Sequence, residues 1–268
     1  MHASPLIVQR EGSVLTVTLD RPEKRNPISD PDMVEALVAA MQDADADLGV
    51  RAVILTGAGR AFSSGGDVAK MRADAGGMRA HLPAQTRRNY RSGIQRLPLV
   101  FQALEVPVIA AVNGPAIGAG CDLACMCDVR IAAESARFAE SFVKLGLIPG
   151  DGGAWLLPRI IGFSRATELA LTGEQIDAAT ALEYGLVSRV VPDAQLMDAA
   201  RALAMKIAAN PPHAVRMTKR LLREAQVSTL PNILELSAAM QGLAHQTADH
   251  DEAIAAFVEK RAPAFRGD

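Results

Sequence analysis

The chain contains no apolar run approaching the roughly 20 residues that a bilayer-crossing helix needs. Its first residues, MHASPLIVQREG, hold no long apolar segment of the secretory kind. Charge of one sign is missing too: the formal net charge is −2. That argues against a broad nucleic-acid-binding or membrane-binding surface. Cysteine is scarce, with Cys121, Cys125 and Cys127 all in one short stretch, where small thiols pack a core helix. The five histidines (His2, His81, His213, His245, His250) show no HExxH or other ligand spacing, so no metal site is expected. Gly57-x-Gly59 follows a strand, but Phe62 stands where a dinucleotide fingerprint needs its third glycine. No Gly-Lys-Ser/Thr of a Walker A loop follows either. These absences leave a cytoplasmic protein of ordinary globular composition: 268 residues, 49% hydrophobic and 22% charged.

What is present centres on Val108–Asp128, VIAAVNGPAIGAGCDLACMCD. An apolar run, Val108–Val112, reads as a strand. The chain turns at Asn113-Gly114-Pro115 and passes Gly118-Ala119-Gly120 into a helix expected over Cys121–Cys127. Such a turn leaves unpaired backbone N–H groups at the positive end of a helix. It suits an anion, or an oxygen that becomes anionic during a reaction. A tight turn in an α/β protein reads the same way. A second strand–loop–helix, Ala52–Thr56 followed by Ser64-Gly65-Gly66 and a helix expected near Asp67–Arg72, offers another set of such amides.

Elsewhere, Leu15, Val17 and Leu19 alternate with threonines as a half-buried strand. Ser29 with Asp32 suggests a helix start, and Met33, Leu37, Met41, Ala44 and Leu48 carry that helix over roughly 30–48. Residues 73–90, with Gly76-Gly77 and Pro83, read as an irregular flap. A helix is expected over about 84–104, a strand over Ala136–Ser141, and helical patterns dominate from Ala154 onward. The simplest division is a β/α body over residues 1–195 and a helical region over 196–268. The pattern fits either stacked ββα turns or a doubly wound sheet.

Several stretches in order resemble the crotonase superfamily, the enoyl-CoA hydratase/isomerase proteins. They are Leu19–Asn26, Leu55–Asp67, Val108–Asp128, Lys144–Pro149, Leu171-Thr172-Gly173 and Ala256–Arg261. The resemblance implies an α/β crotonase-like spiral of ββα units with a C-terminal helical region that builds homotrimers, often paired into hexamers. It also implies an acyl-CoA substrate, with coenzyme A as part of that substrate and no separate cofactor. The thioester oxygen would be held by the N–H groups of Gly66 and Ala119. CoA would border Lys24, Arg25 and Ile28 at the nucleotide end, and Ala61, Ser64, Gly65, Asp67 and Val68 along the adenine and pantetheine side. Phe257 and Lys260 match positions that reach a neighbouring subunit's CoA.

The chain departs from the familiar hydratases where they carry two glutamates. The first falls on Asp122. The second falls on Phe142, which carries no proton and would line the substrate site. Glu140, two residues earlier, shares a face with Phe142 if that segment is extended, and is otherwise a helix-start or surface carboxylate. Asp151 lies one position after an aspartate that some isomerases of the family use. It could equally cap the helix that follows. An enoyl-CoA hydratase-like enzyme is therefore expected. A double-bond isomerase is the alternative, and an acyl-CoA-binding protein with little catalysis is the alternative of another class.

Overall fold

The computed structural model describes residues 4–72 and 77–268, so the first part of the expected flap, 73–76, lies outside the described residues. The chain opens with an antiparallel pair, β1 (Leu6–Glu11) and β2 (Val14–Leu19). Helix α1 (Pro31–Ala46) then crosses over to β3 (Ala52–Gly57), which lies parallel to β2 and is buried throughout. The expected start of α1 is off by one residue: Asp30, not Ser29, occupies the N-cap position, without capping through its side chain. Asp30 instead receives Arg21 at 3.1 Å and Lys70 at 2.7 Å. The helix expected near Asp67–Arg72 is a single 3₁₀ turn, Val68–Met71.

The long helix expected over 84–104 is two helices, α2 (Pro83–Ser92) and α3 (Arg96–Ala103). Gly93 ends the first, as a residue without a β-carbon readily does. From here the chain alternates between two sheets. It runs through β4 (Val108–Val112) in the large sheet, then β5 (Pro115–Ile117) in a small one, then α4 (Ala119–Met126). The next turn repeats this with β6 (Val129–Ala133), β7 (Arg137–Ala139) and α5 (Gly153–Ile161). This alternation is the ββα spiral, and it settles the choice against a doubly wound sheet. Helix α6 (Phe163–Thr172), β8 (Gln175–Asp177), α7 (Ala178–Glu183) and β9 (Arg189–Val191) complete the two sheets. The large sheet has the order β1-β2-β3-β4-β6-β9, and the small one β5-β7-β8.

Helix α8 (Leu196–Ala208) covers one face of the large sheet. Its Ala200, Ala204 and Ala208 recur every four residues and pack in one cluster with Ile54, Ile109 and Ile131. The helical region after residue 195 is thus joined to the body through a packed layer. Helix α9 (Pro212–Ala225) adds a buried ionic seam: Lys219 lies 2.8 Å and Arg223 2.7 Å from the carboxylate of Asp128. Helices α10 (Leu230–Ala244) and α11 (Ala248–Glu259) end the fold, and α10 has no buried residue at all. Among the described residues no helix is long and apolar enough to cross a membrane.

Candidate active site

The spiral sets the turn after β3 directly beside the turn after β4. Ser63 pairs with the β5 strand: its N–H donates to the Pro115 carbonyl at 3.1 Å, and Ile117 N–H donates to the Ser63 carbonyl at 3.0 Å. Gly65 follows in the left-handed region, with φ +79°, and a β-carbon there would stand 2.4 Å from the Ile117 carbonyl oxygen. Only glycine fits so close an approach. The loop is pinned from behind by Asn26, fully buried, whose side-chain amide donates to the carbonyls of Ala58 and Ala61, each at 2.9 Å.

This stitching leaves two amides from adjacent layers without internal partners. Among the described residues, neither Gly66 N–H nor Ala119 N–H donates a hydrogen bond. Ala119 is the first residue of α4, so no intrahelical carbonyl is within its reach. The helix dipole adds positive potential there.

Helix α4 is buried at every position, so Asp122, one turn beyond Ala119, must point into the interior. Glu140 and Asp151 meet it there, and all three are almost fully buried. Both oxygens of Asp122, both of Glu140, and Oδ1 of Asp151 have no hydrogen-bond partner among the described residues. The backbone of α5 presses on this group: a β-carbon at Gly153 would lie 2.1 Å from Asp122 Oδ1.

Two ionised carboxylates only accept, so Asp122 and Glu140 can bond to each other only when one holds a proton. Burial, then the charges of Glu140 and Asp151, hold Asp122 well above the usual carboxylate range. The adjacent Glu140 carboxyl reinforces this, and the nearby Gly153 backbone opposes it. Burial pushes Glu140 up to about 8, helped by Cys125 and partly offset by the neighbouring Asp122 and Cys121 side chains. Burial alone raises Asp151 to about 6. At neutral pH the cluster therefore combines a protonated pair with one carboxylate that is largely ionised.

That arrangement costs stability, with a definite sign. Below the ordinary value of 3.8, Asp122 is protonated in both folded and unfolded chains, and nothing is lost. Above it the unfolded chain ionises freely while the folded one does not, so stability falls as pH rises toward the raised value. Each pH unit of that window costs about 1.4 kcal/mol. Asp122→Asn is expected to raise the thermal midpoint at pH 7, by roughly 2–4 °C for each kcal/mol recovered. The gain should vanish near pH 4. Equal midpoints at pH 7 would mean that Asp122 ionises without hindrance.

Neither Glu140 nor Asp151 caps the turn or helix beside it through its side chain. Residues Ser141–Leu145 wind into a 3₁₀ turn, so Glu140 and Phe142 do not share the face of an extended strand. Glu140 is nevertheless buried, at the N-cap position of that turn, with no capping bond. Asp151 does not cap α5 either, because Gly152 occupies the N-cap position at φ +113°. Phe142 is half-buried, its ring 3.6 Å from the β-carbon position of Gly118, the residue before Ala119. An apolar ring thus stands at the position expected to lack an acid, beside the start of α4.

Of the residues expected along CoA, Lys24, Ser64 and Asp67 meet at one rim. Lys24 Nζ lies 3.9 Å from Asp67, and Ser64 Oγ donates to the Lys24 carbonyl at 3.3 Å. Arg25 and Val68 are exposed, Ile28 and Ala61 are buried beneath the rim, and Asp67 caps the 3₁₀ turn through Ala69 N–H. Phe257, exposed over 83% of its surface, and Lys260 stand at the C-terminal end of α11. A separate cleft of about 480 Å³, lined by Trp155, Ile160, Leu222 and Arg223, contains none of the three carboxylates. Sequence reasoning missed Asn26 as the pin of the Gly65 turn. Its signal was a buried amide beside a proline, which only the folded contacts give meaning.

Comparison with known proteins finds relatives over nearly the whole chain. The sequence profile described as enoyl-CoA hydratase/isomerase matches residues 9–268. The 1,2-epoxyphenylacetyl-CoA isomerase of Escherichia coli is 41% identical over 257 residues, 96% of each chain. The short-chain-enoyl-CoA hydratase of Clostridium acetobutylicum is 36% identical over 264 residues, 97% of each chain. Among solved structures, an enoyl-CoA hydratase from Bacillus anthracis superposes with a TM-score of 0.92 at 36% identity, covering 98% of this chain and 100% of that one.

Proposed function

Because the chain belongs to the enoyl-CoA hydratase/isomerase family, and so is a hydratase-like acyl-CoA-processing enzyme, we propose that it hydrates a 2-enoyl-CoA thioester through an acid and a base drawn from its three carboxyls. The observation that carries this reading is the meeting of three buried carboxyls without hydrogen-bond partners among the described residues, which burial raises unequally: Asp151 to about 6, Glu140 to about 8, and Asp122 well above the usual carboxylate range. Titratable neighbours driven apart in this way identify acid and base.

In this mechanism the Asp151 carboxylate takes a proton from water, whose oxygen attacks the β-carbon. The double-bond electrons move onto the thioester oxygen, which Gly66 N–H and Ala119 N–H hold as an enolate. The protonated Asp122–Glu140 pair then delivers a proton to the α-carbon, giving a 3-hydroxyacyl thioester. The proton gained by Asp151 returns to the pair through the cluster. Lys24 and Arg25 supply cations at the rim for the CoA phosphates.

Double-bond isomerisation is the second reading, since the family's description covers isomerases as well as hydratases and the relative named as an isomerase acts, by its name, on an epoxide thioester without adding water. The same base would take a proton from one carbon and the acid pair would supply one at another, with no water added. Panels of 2-enoyl-CoA and 3-enoyl-CoA thioesters of varied chain length separate the two. Tight binding without turnover of either panel would instead support a binding protein.

A pH dependence follows from the assignment. The base works only when ionised, so kcat/KM should fall below about pH 6. The acid works only when protonated, so it should fall again above about pH 8. A profile flat from pH 5 to 9 would contradict the acid–base assignment.

We also propose that the active species is a homotrimer or a pair of trimers. The support is the apolar surface left uncovered on the last two helices: Leu230, Leu234, Leu243, Phe257 and Val258 are all more than half exposed.

A further inference from the structure

The turn that carries Asp151 is held from outside its own ββα unit. Gln95 sits in the break between α2 and α3, and its side-chain amide donates to the Gly150 carbonyl at 2.8 Å. The Tyr90 ring lies 3.5 Å from the β-carbon position of Gly150, and Pro98 lies 3.2 Å from that of Gly152. Side chains of one segment therefore bracket the residues on both sides of Asp151. Gly150 and Gly152 impose little conformational preference of their own, and the turn has no side-chain cap. Its geometry is set by what grips it. Among the described residues, the Gln95 amide supplies the one side-chain hydrogen bond at the Gly150 carbonyl. Tyr90 is within electrostatic reach of the acid: burial, then the charge of Asp151, raises its phenol.

We propose that Gln95 is the positioning residue for Asp151, with Tyr90 packed beside the same turn as a wall against bulk solvent. The α2–α3 segment before β4 thereby sets the position of the base from outside its own turn. This inference rests on Asp151 serving as the base.

Gln95→Met tests it, because methionine keeps the length and volume while removing the donor. A loosened turn misplaces the carboxyl and hydrates it. The expected result is a kcat lower by about 10–100-fold with little change in KM. The acidic limb of the pH–rate profile should also move from about 6 toward the ordinary carboxylate range, which a merely structural role would not cause. Thermal midpoints confirm that the variant is folded. In an Asp151→Asn background, Gln95→Met should cost almost nothing further, since both act through one group. If Asp151→Asn alone leaves turnover intact, the base assignment and this inference both fall. If Asp151→Asn is damaging but Gln95→Met leaves the limb in place, or costs the same in both backgrounds, the base assignment stands and the positioning role is overturned.

Discussion

Asp151→Asn is expected to lower kcat by about 10²–10⁴-fold, the range for removal of a positioned general base. Asparagine keeps the size and shape of the side chain but cannot accept a proton at neutral pH. Asp151 is the member of the cluster most ionised there, since burial lifts it only to about 6. Glu140 stands higher, at about 8, and burial with neighbouring charge holds Asp122 well above the usual carboxylate range, so neither replaces it without an energetic cost. The loss should be largest above pH 6, where the wild-type base is charged, and should shrink at lower pH as the wild type itself loses activity. KM should change little, because the carboxyl acts on water and not on the CoA moiety. Steady-state rates of wild type and variant across pH measure this. A variant within threefold of wild type at pH 7 would transfer the role of base to the Asp122–Glu140 pair.

Ala119→Pro should be nearly as damaging, by about 10²–10³-fold in kcat, or roughly 3 kcal/mol. Proline removes one backbone donor and suits the first position of a helix, where the N–H has no intrahelical partner. Ala119 holds that position in α4. The close packing of Gly65 against this turn leaves little spare room, so thermal midpoint and CoA binding must be measured alongside activity. Ala119→Gly keeps the amide and serves as the companion variant, with turnover expected within a few-fold of wild type. A folded, CoA-binding proline variant with near-normal turnover would remove Ala119 from the oxyanion site. Losses of similar size in both variants would point to packing around α4 as the cause.

The strand, turn and helix of Val108–Met126 were legible because their signals are local. Five apolar residues, an Asn-Gly-Pro turn and glycines before a helix start need no distant partner to be read. The large-sheet strand β1 was not, because only Leu6 of its six residues is buried and no alternation survives. Strands of three residues, such as β5, β7 and β8, are too short for a period to register. The break at Gly93–Gln95 was hidden because helical spacing continues across it. Asp151 and Glu140 were visible as candidates, but their local contexts suggested a cap and a surface acid. Their burial comes from contacts between separate turns of the spiral, which no local pattern encodes. Burial also set the order of their proton affinities, and that order carries the mechanism.

The central claim is that a thioester enolate forms between the two amides and is protonated at the α-carbon by the acid pair. Product formed from a 2-enoyl-CoA substrate in D₂O tests it most directly, with mass spectrometry and NMR to locate the label. The prediction is a 3-hydroxyacyl-CoA with one deuterium at the α-carbon, and label incorporation falling in step with turnover in Asp151→Asn and Ala119→Pro. Tight binding of the thioester with no product and no deuterium at the α-carbon, across the chain lengths that bind, would contradict it.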